Sequence, residues 1–117
     1  MDRIFQQTYH VPGTLAANLD IRFTAPMDCT LLHVSAVASN DSDATLAIGT
    51  SDDTDEFLTA AAIGDSQVPV EKTRTDFEGD QYPRIQDGDV VVLTLDFDGA
   101  GGTAAQNVTI VLTFAEG

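Results

Sequence analysis

The chain has 117 residues, of which 43 % are hydrophobic, and its 19 acidic and 5 basic residues give a formal net charge of -14. This length and apolar content exclude a disordered tail and indicate one domain that buries a core without metal or disulfide support. Because the acidic excess repels phosphate groups and anionic lipids, we expect neither nucleic acid nor a membrane as a partner.

The segment from Arg3 to Tyr9 is predicted as a short strand that ends at the turn dipeptide Pro12-Gly13. Its two faces are not cleanly divided into apolar and polar residues, which is typical of a strand at the edge of a sheet. We therefore expect residues 1 to 12 to form either an edge strand or an assembly arm that pairs with a neighbouring subunit.

Two further strands are predicted before the middle of the chain. Asn18 to Thr24 alternates apolar and polar residues and ends at Pro26. Cys29 to Ala38 is apolar or small on both faces, as expected of a strand in the centre of a sheet. Strict alternation within this second strand places Leu31 and Leu32 on opposite faces.

The middle of the chain contains the one segment with helical signals. Ala44 to Gly49 is predicted as a strand that follows a turn from Asn40 to Asp43. Thr54 to Ala62 is then predicted as a short helix, with Asp53 as its N-cap and Gly64 as its stop signal. A loop is the alternative for this segment.

The last third of the chain is predicted to contain only strands and turns. Val68 to Val70 is extended, and Glu71 to Phe77 is predicted as a mostly polar strand. Val91 to Asp98 and Asn107 to Phe114 are two long alternating strands, joined by the glycine- and alanine-rich loop Gly99 to Gln106. We expect these two strands to pair as a β-hairpin.

About eight strands at spacings of roughly ten residues, with turn signals between them, are typical of a β-sandwich. The sequence therefore predicts an all-β fold, a single β-sandwich domain over residues 1–117 with at most one short helix. A jelly roll is one connectivity within this class.

Catalytic chemistry is not predicted. His33 lies in a predicted central strand far from His10, and no nucleophile elbow accompanies Ser35. Cys29 is interpreted as a small core residue and not as an activated thiolate. We expect the protein not to be an enzyme and to need no cofactor.

Asp96 and Asp98 are weak candidates for a metal site, because both point the same way on one strand and carboxylates are ligands that Ca²⁺ prefers. A site shared with Asp87 or Asp89 would supply further oxygens. Solvated aspartates at a strand end are the commoner arrangement, so we predict no metal ion.

Acidic and basic residues are separated along the chain. No cation lies between Arg22 and Lys72, after which Lys72, Arg74 and Arg84 follow within thirteen residues. A solvated acidic surface is one explanation. The other is an assembly contact in which the basic stretch of one copy meets the acidic stretch of another.

The last forty residues carry a series of turns and strands: Pro83-Arg84-Ile85, Gly88-Asp89, Leu93 to Gly99, Gly101 to Ala105 and Val108 to Phe114. Over about residues 77 to 117 this series resembles small structural proteins encoded with the head genes of tailed bacteriophages. The resemblance implies a virion protein on the capsid surface, which decorates or cements the shell and has the major capsid protein or other virion proteins as partners. It carries over no catalytic or binding residue.

The start of the chain lacks the basic stretch and apolar run of a secretory signal, so we expect synthesis in the host cytoplasm. We also expect a homo-oligomer, with a trimer favoured over a dimer. The predicted contact residues are Phe5, Tyr9, Lys72, Arg74, Arg84, Gly101, Gly102 and Thr103. The alternative function is a carbohydrate- or receptor-binding β-sandwich module of a phage tail or fibre, although few aromatic residues are available as a binding platform.

Overall fold

The computed structural model describes residues 3–117, which form nine strands and two short 3-10 turns. The strands are β1 (Ile4–Thr14), β2 (Leu19–Thr24), β3 (Cys29–Val37), β4 (Thr45–Thr50), β5 (Leu58–Ala62), β6 (Val70–Lys72), β7 (Arg84–Ile85), β8 (Val90–Asp96) and β9 (Gln106–Glu116). The 3-10 turns are Arg74–Asp76 and Glu78–Asp80. Within residues 3–117 no helix is long and apolar enough to cross a membrane.

The strands form two antiparallel sheets that pack face to face. The first sheet has the order β1-β9-β3-β6, and the short strand β7 also pairs with β3. The second sheet has the order β2-β8-β4-β5. The prediction of an all-β sandwich is therefore confirmed.

The pairing scheme is that of a jelly roll. When β7 is set aside, the first strand pairs with the last, as β1 with β9, and the second with the last but one, as β2 with β8. The inner pairs are β3 with β6 and β4 with β5. Successive pairs alternate between the two sheets, so the fold is one long antiparallel hairpin rolled into a sandwich.

Strands β8 and β9 do not pair with each other, so the predicted β-hairpin is wrong. Both strands turn alternate residues toward the core as predicted, namely Val91, Leu93 and Leu95 on β8 and Val108, Ile110, Leu112 and Phe114 on β9, although Val92 on the other face of β8 is also buried. However, β8 pairs with β2 and β4, whereas β9 pairs with β1 and β3. Two consecutive strands with alternating apolar residues can pair within one sheet, or they can lie in opposite sheets with their apolar faces toward the same core.

A bulge in β3 changes which residues face the core. The register between β3 and β9 shifts between Leu31 and His33. Cys29 and Leu31 before the shift and Val34 after it are therefore all buried, while Leu32 is half-buried. Strict alternation fails here because the extra residue of a bulge resets the period of two.

The predicted helix from Thr54 to Ala62 is wrong. A turn at its start leads into β5, which pairs with β4, and the backbone nitrogen of Phe57 donates to the Ile48 carbonyl at 2.9 Å. Phe57 and Leu58 are both buried by this arrangement. A helix of at most a few turns has little stability of its own, so pairing and burial decide the structure.

The predicted strand from Glu71 to Phe77 is wrong over most of its length. Of this segment only Glu71 and Lys72 belong to a strand, β6, which pairs with β3. The chain then closes a 3-10 turn in which the Thr73 backbone nitrogen donates to Asp76 Oδ2 at 2.9 Å. This turn directs Phe77 into the core, where it is buried.

The sandwich has two ends with different connections. The upper end carries the β1–β2, β3–β4, β5–β6 and β8–β9 loops, because these strands reach the same end in the antiparallel pairing. The lower end carries the β2–β3 and β4–β5 loops, the long segment from residue 73 to residue 89, and residues 3 and 116. The core lies between the two sheets.

Candidate functional site

Charged residues are concentrated at the two ends of the sandwich. The upper end has five carboxylates and no cation among residues 3–117, namely Asp41, Asp43, Asp65, Asp96 and Asp98. The lower end has Arg3, Arg74 and Arg84 among the acidic residues Asp28, Asp52, Asp53, Asp55, Glu56, Asp76, Glu78, Asp80, Asp87, Asp89 and Glu116. Apart from Arg84, Asp96 and Glu116 at strand termini, the strands carry only four charged residues, Asp20, Arg22, Glu71 and Lys72. The electrostatic field of the protein is therefore strongest at its two ends.

The structure places the eight predicted contact residues in three separate regions. Phe5 and Tyr9 lie on β1, at one edge of the first sheet. The basic residues Lys72, Arg74 and Arg84 lie on or beside β6 and β7, at the opposite edge of that sheet. Gly101, Gly102 and Thr103 lie in the β8–β9 loop at the upper end. These residues do not form one continuous surface.

Phe5 and Tyr9 point between the sheets. Phe5 stacks on Phe114, with ring centroids 5.1 Å apart and an interplanar angle of 18°. Tyr9 lies 6.3 Å from Phe23 of β2, and Phe23 meets Phe114 edge-on at 5.9 Å. Partial burial raises the pKa of the Tyr9 phenol, because desolvation disfavours its charged form.

The core is incompletely covered along β1 and β2, which are edge strands of the two sheets. Six of the seven partly buried apolar residues that pack against the core in the described chain lie on these two strands. These six residues, termed the edge seam, are Phe5, Tyr9, Val11, Leu19, Ile21 and Phe23. The alternation of β2 was visible in the sequence, but its position at an edge, which leaves its apolar face half-exposed, was not.

Lys72, Arg74 and Arg84 do not form a single basic patch. Lys72 is half-buried on β6, and Arg84 is exposed on β7. Arg74 follows β6, and its Nη1 donates to the Asp80 carbonyl at 3.1 Å.

An open groove of about 500 Å³ at the lower end brings acidic and basic residues together in one copy. Its lining includes Glu56, Glu78, Tyr82 and Arg84. The Thr50 hydroxyl donates to Glu56 Oε1 at 3.0 Å, and the Thr59 hydroxyl donates to Glu78. Tyr82 is 42 % exposed. Residues from the acidic and the basic stretch thus line one groove of a single chain.

The β8–β9 loop packs on the β3–β4 loop of the same chain. The Thr103 backbone nitrogen donates to Asp43 Oδ2 at 2.7 Å, and the Asp43 nitrogen donates to the Thr103 carbonyl at 3.0 Å. A methyl group at Gly99 would lie 2.2 Å from the Asp43 carbonyl oxygen, and one at Gly102 would lie 2.3 Å from Asp43 Oδ2. These two glycines therefore permit the close approach of the two loops.

Asparagine side chains tie the other strands and loops of the upper end together. Asn40 donates to the Ala104 carbonyl at 2.8 Å and accepts from the Gln106 nitrogen at 3.0 Å. Asn18 Oδ1 accepts from the Phe97 nitrogen at 3.1 Å, and Asn107 Oδ1 accepts from the Gly13 nitrogen at 2.8 Å. Sequence reasoning assigned Asn40 only to a turn. The signal was the recurrence of Asn and Asp next to strand ends, where their side chains reach backbone groups of other segments.

Asp96 and Asp98 close the turn that follows β8. Asp96 Oδ1 accepts from the Ala100 backbone nitrogen at 3.3 Å, and Asp98 Oδ1 accepts from the same nitrogen at 3.0 Å. Asp87 and Asp89 lie before β8, at the opposite end of the sandwich, so the idea of a shared metal site is wrong. Within residues 3–117, no group of three or more His, Cys, Asp or Glu side chains is arranged to hold a metal ion.

Cys29 is a core residue, as predicted. It is 2 % exposed, and burial together with the nearby charges of Asp28 and Asp89 raises the pKa of its thiol. Both histidines lie on the outer face of the first sheet, where His10 Nδ1 is 2.9 Å from Thr109 Oγ1 and His33 Nε2 is 2.9 Å from Glu71 Oε1.

Comparison with known proteins adds a fold relationship to this picture of a small jelly-roll domain. No protein-family model and no curated protein matches the chain. Among solved structures, the fold is similar to a chain of the "Cyanophage Pam1 capsid asymmetric unit", with a TM-score of 0.60, 11 % identity, and coverage of 99 % of this chain and 85 % of that one. At this identity the likeness shows the fold alone. The coverage also means that the matched chain is itself small.

Proposed function

We propose that this protein is a structural component of a tailed-phage virion, which decorates or cements the outer surface of the capsid. The observation that carries the proposal is the similarity, over 99 % of this chain, to a small chain of a phage capsid asymmetric unit. The resemblance of residues 77 to 117 to phage head proteins agrees with it. In this role the protein is made in the host cytoplasm and is located on the virion.

The charge distribution supports a role in assembly. Acidic ends repel one another, which disfavours end-to-end contacts between copies, and the same ends attract a partner with a basic surface. The partner that we propose is the major capsid protein or another virion protein. We further propose a trimer, because a threefold unit on a threefold position of a shell gives every copy the same contacts.

The test is the protein composition of particles purified from host cells that carry the gene for this chain. We expect the chain to be present in many copies, at a fixed ratio to the major shell protein. Particles made after deletion of the gene should lose the chain and bind the purified protein when it is added back. Absence of the chain from purified particles would overturn the virion assignment.

One feature favours the alternative, a carbohydrate- or receptor-binding module of a tail or fibre. The lower groove combines the exposed ring of Tyr82 with the carboxylates of Glu56 and Glu78, which can accept hydrogen bonds from sugar hydroxyls. A copy number of only a few per particle, together with glycan-array binding that Tyr82→Ala abolishes, would establish this alternative.

A further inference from the structure

We propose that the free edge of β1 accepts an extended segment of the shell protein as an added strand of the first sheet. The alternate side chains of this segment would cover the edge seam between β1 and β2. The inference rests on the proposed function, because it names the part of the protein that contacts the shell.

The backbone of β1 is suited to strand addition. The strand is eleven residues long and pairs without interruption with β9, from Ile4 opposite Ala115 to Val11 opposite Val108. Among residues 3–117, no strand pairs with its other side, since β1 ends the first sheet. Its outward N–H and C=O groups therefore form a regular row of donors and acceptors, which is the template that an added strand uses.

The other edge strands, β2, β5, β6 and β7, carry features that hinder pairing with another chain, and β7 has only two residues, one of which is Arg84. β2 is six residues long and presents the ion pair between Arg22 and Asp20, at 2.9 Å. β5 has five residues and an irregular register with β4, and β6 has three residues that include Glu71 and Lys72. By contrast, the sequence of β1 contains no Asp, Glu, Lys or Arg from Ile4 to Thr14. Charges, short length and irregularity are the devices that block edge pairing, and β1 lacks all three over its regular part.

The edge seam lies directly beside this free edge. Phe5, Tyr9 and Val11 of β1 are half-buried on the inner face, and Gln7 lies in the same row, opposite the buried Leu112. A strand added to β1 would place every second side chain in this row, between the two sheets. The free backbone edge and the incompletely covered edge seam thus lie side by side. One added strand would pair with the backbone groups and cover the apolar side chains.

The charges of the two ends favour a shell segment over a second copy of this chain. Pairing of two β1 strands in antiparallel orientation would bring the acidic upper end of one copy beside the acidic lower end of the other. Parallel pairing would bring like ends together, which again places carboxylates near carboxylates. An extended basic segment avoids this repulsion and is attracted by both acidic ends.

Two neighbouring substitutions on β1 test the proposal. Gln7→Lys places a charge in the row that the added strand would cover, whereas Thr8→Lys places the same charge on the outer face of the sheet, beside Val111. Deletion of the strand is less informative, because it would also remove Phe5 and Tyr9 from the core. Both variants should melt within a few degrees of the parent, since each lysine can extend into solvent.

The measurement is co-sedimentation with particles that were produced after deletion of the gene for this chain and therefore lack it. We expect Gln7→Lys to weaken binding by about tenfold or more, because the charge would be buried by the added strand, and Thr8→Lys to bind nearly as the parent does. Hydrogen exchange of the unmodified protein adds a second readout. On particles, the β1 amides should exchange at least about tenfold more slowly than in the free protein, while the exchange rates of the β5 and β6 amides remain unchanged.

Failure of this inference can be told apart from failure of the proposed function. If the parent binds particles but both variants bind equally well and the β1 amides gain no protection, the capsid role stands and strand addition is overturned. If the parent does not bind the particles, both are overturned. If Gln7→Lys dissociates a homo-oligomer while particle binding is retained, the occupant of the edge is a second copy, and the shell segment is rejected.

Discussion

Asp43 and Thr103 are joined by two hydrogen bonds, one from the Thr103 nitrogen to Asp43 Oδ2 at 2.7 Å and one from the Asp43 nitrogen to the Thr103 carbonyl at 3.0 Å. The pair connects the β3–β4 loop to the β8–β9 loop. Each of these loops crosses from one sheet to the other, since β3 and β9 belong to the first sheet and β4 and β8 to the second, so the contact joins two crossing connections at the upper end. A carboxylate acceptor makes the first bond stronger than one between neutral groups.

The first prediction concerns this carboxylate. Asp43→Ala should lower the free energy of unfolding by about 1–2 kcal/mol, because the Thr103 nitrogen loses a charged acceptor. Asp52→Ala is the matched control, since it removes the same charge from an exposed position in the β4–β5 loop. Urea unfolding measures both variants. Equal stabilities of the two variants would contradict the importance of the Asp43 contact.

The second prediction distinguishes two effects on the free energy of unfolding, that of the close packing of the two loops and that of a side chain on a backbone with positive φ. Gly99 (φ +64°) and Gly13 (φ +81°) both have positive φ, but only at Gly99 would a methyl group meet another backbone atom. Gly13→Ala should therefore cost about 1 kcal/mol from backbone strain, and Gly99→Ala about 3 kcal/mol or more. Thermal and urea unfolding of both variants check the difference, and similar losses would mean that the loops separate easily.

The third prediction tests the bulge in β3. Leu31 is fully buried, whereas Leu32 is half-buried at the register shift. Leu31→Ala should lower the free energy of unfolding by about 3 kcal/mol or more, and Leu32→Ala by about 1 kcal/mol. Without the bulge, Leu32 would share the face of the buried Val34 and the order of the two effects would be reversed. Denaturant unfolding at equilibrium decides between the two orders.

The bulge illustrates how far the sequence alone defines this fold. Periodicity identified β2, β8 and β9 and the face that each turns toward the core, because the alternation of apolar residues is a local property of each strand. It did not identify the partner of each strand. The faces of β8 and β9 would be the same in a hairpin as in the jelly roll, and only long-range packing distinguishes them.

The candidate site was predictable only in part for the same reason. Phe5 and Tyr9 were predicted to lie on an edge strand or an arm, because neither face of their segment is consistently apolar or polar. The structure places both on an edge strand. The second side of the edge seam, Leu19 to Phe23, required knowledge that β2 ends the other sheet. The contact of Asp43 with the β8–β9 loop joins residues sixty positions apart, and neither composition nor spacing indicates such a pair.

The fourth prediction concerns a pair of carboxyl groups at the upper end. The side chain of Asp41 shares a hydrogen bond with that of Asp65, and this bond, together with the charges of Asp65 and Asp43, raises the pKa of Asp41 above its ordinary value of 3.8. The folded protein therefore binds a proton at Asp41 more tightly than the unfolded chain does. Stability from this group increases as the pH falls through the raised pKa toward 3.8, and it is lost at neutral pH, where both carboxylates are charged.

Asp41→Asn should consequently raise the melting temperature at pH 7, because it removes one of two repelling charges while Asp65 keeps its hydrogen bond from the Ser42 nitrogen at 3.0 Å. Asp52→Asn controls for the general benefit of removing one negative charge from a protein of net charge -14. The advantage of Asp41→Asn over Asp52→Asn should shrink as the pH is lowered toward 3.8, since the parent then protonates Asp41 and loses the repulsion itself. Melting curves of the three proteins across this pH range test the sign, and an advantage that grows on acidification would show that the Asp41–Asp65 pair does not act as described.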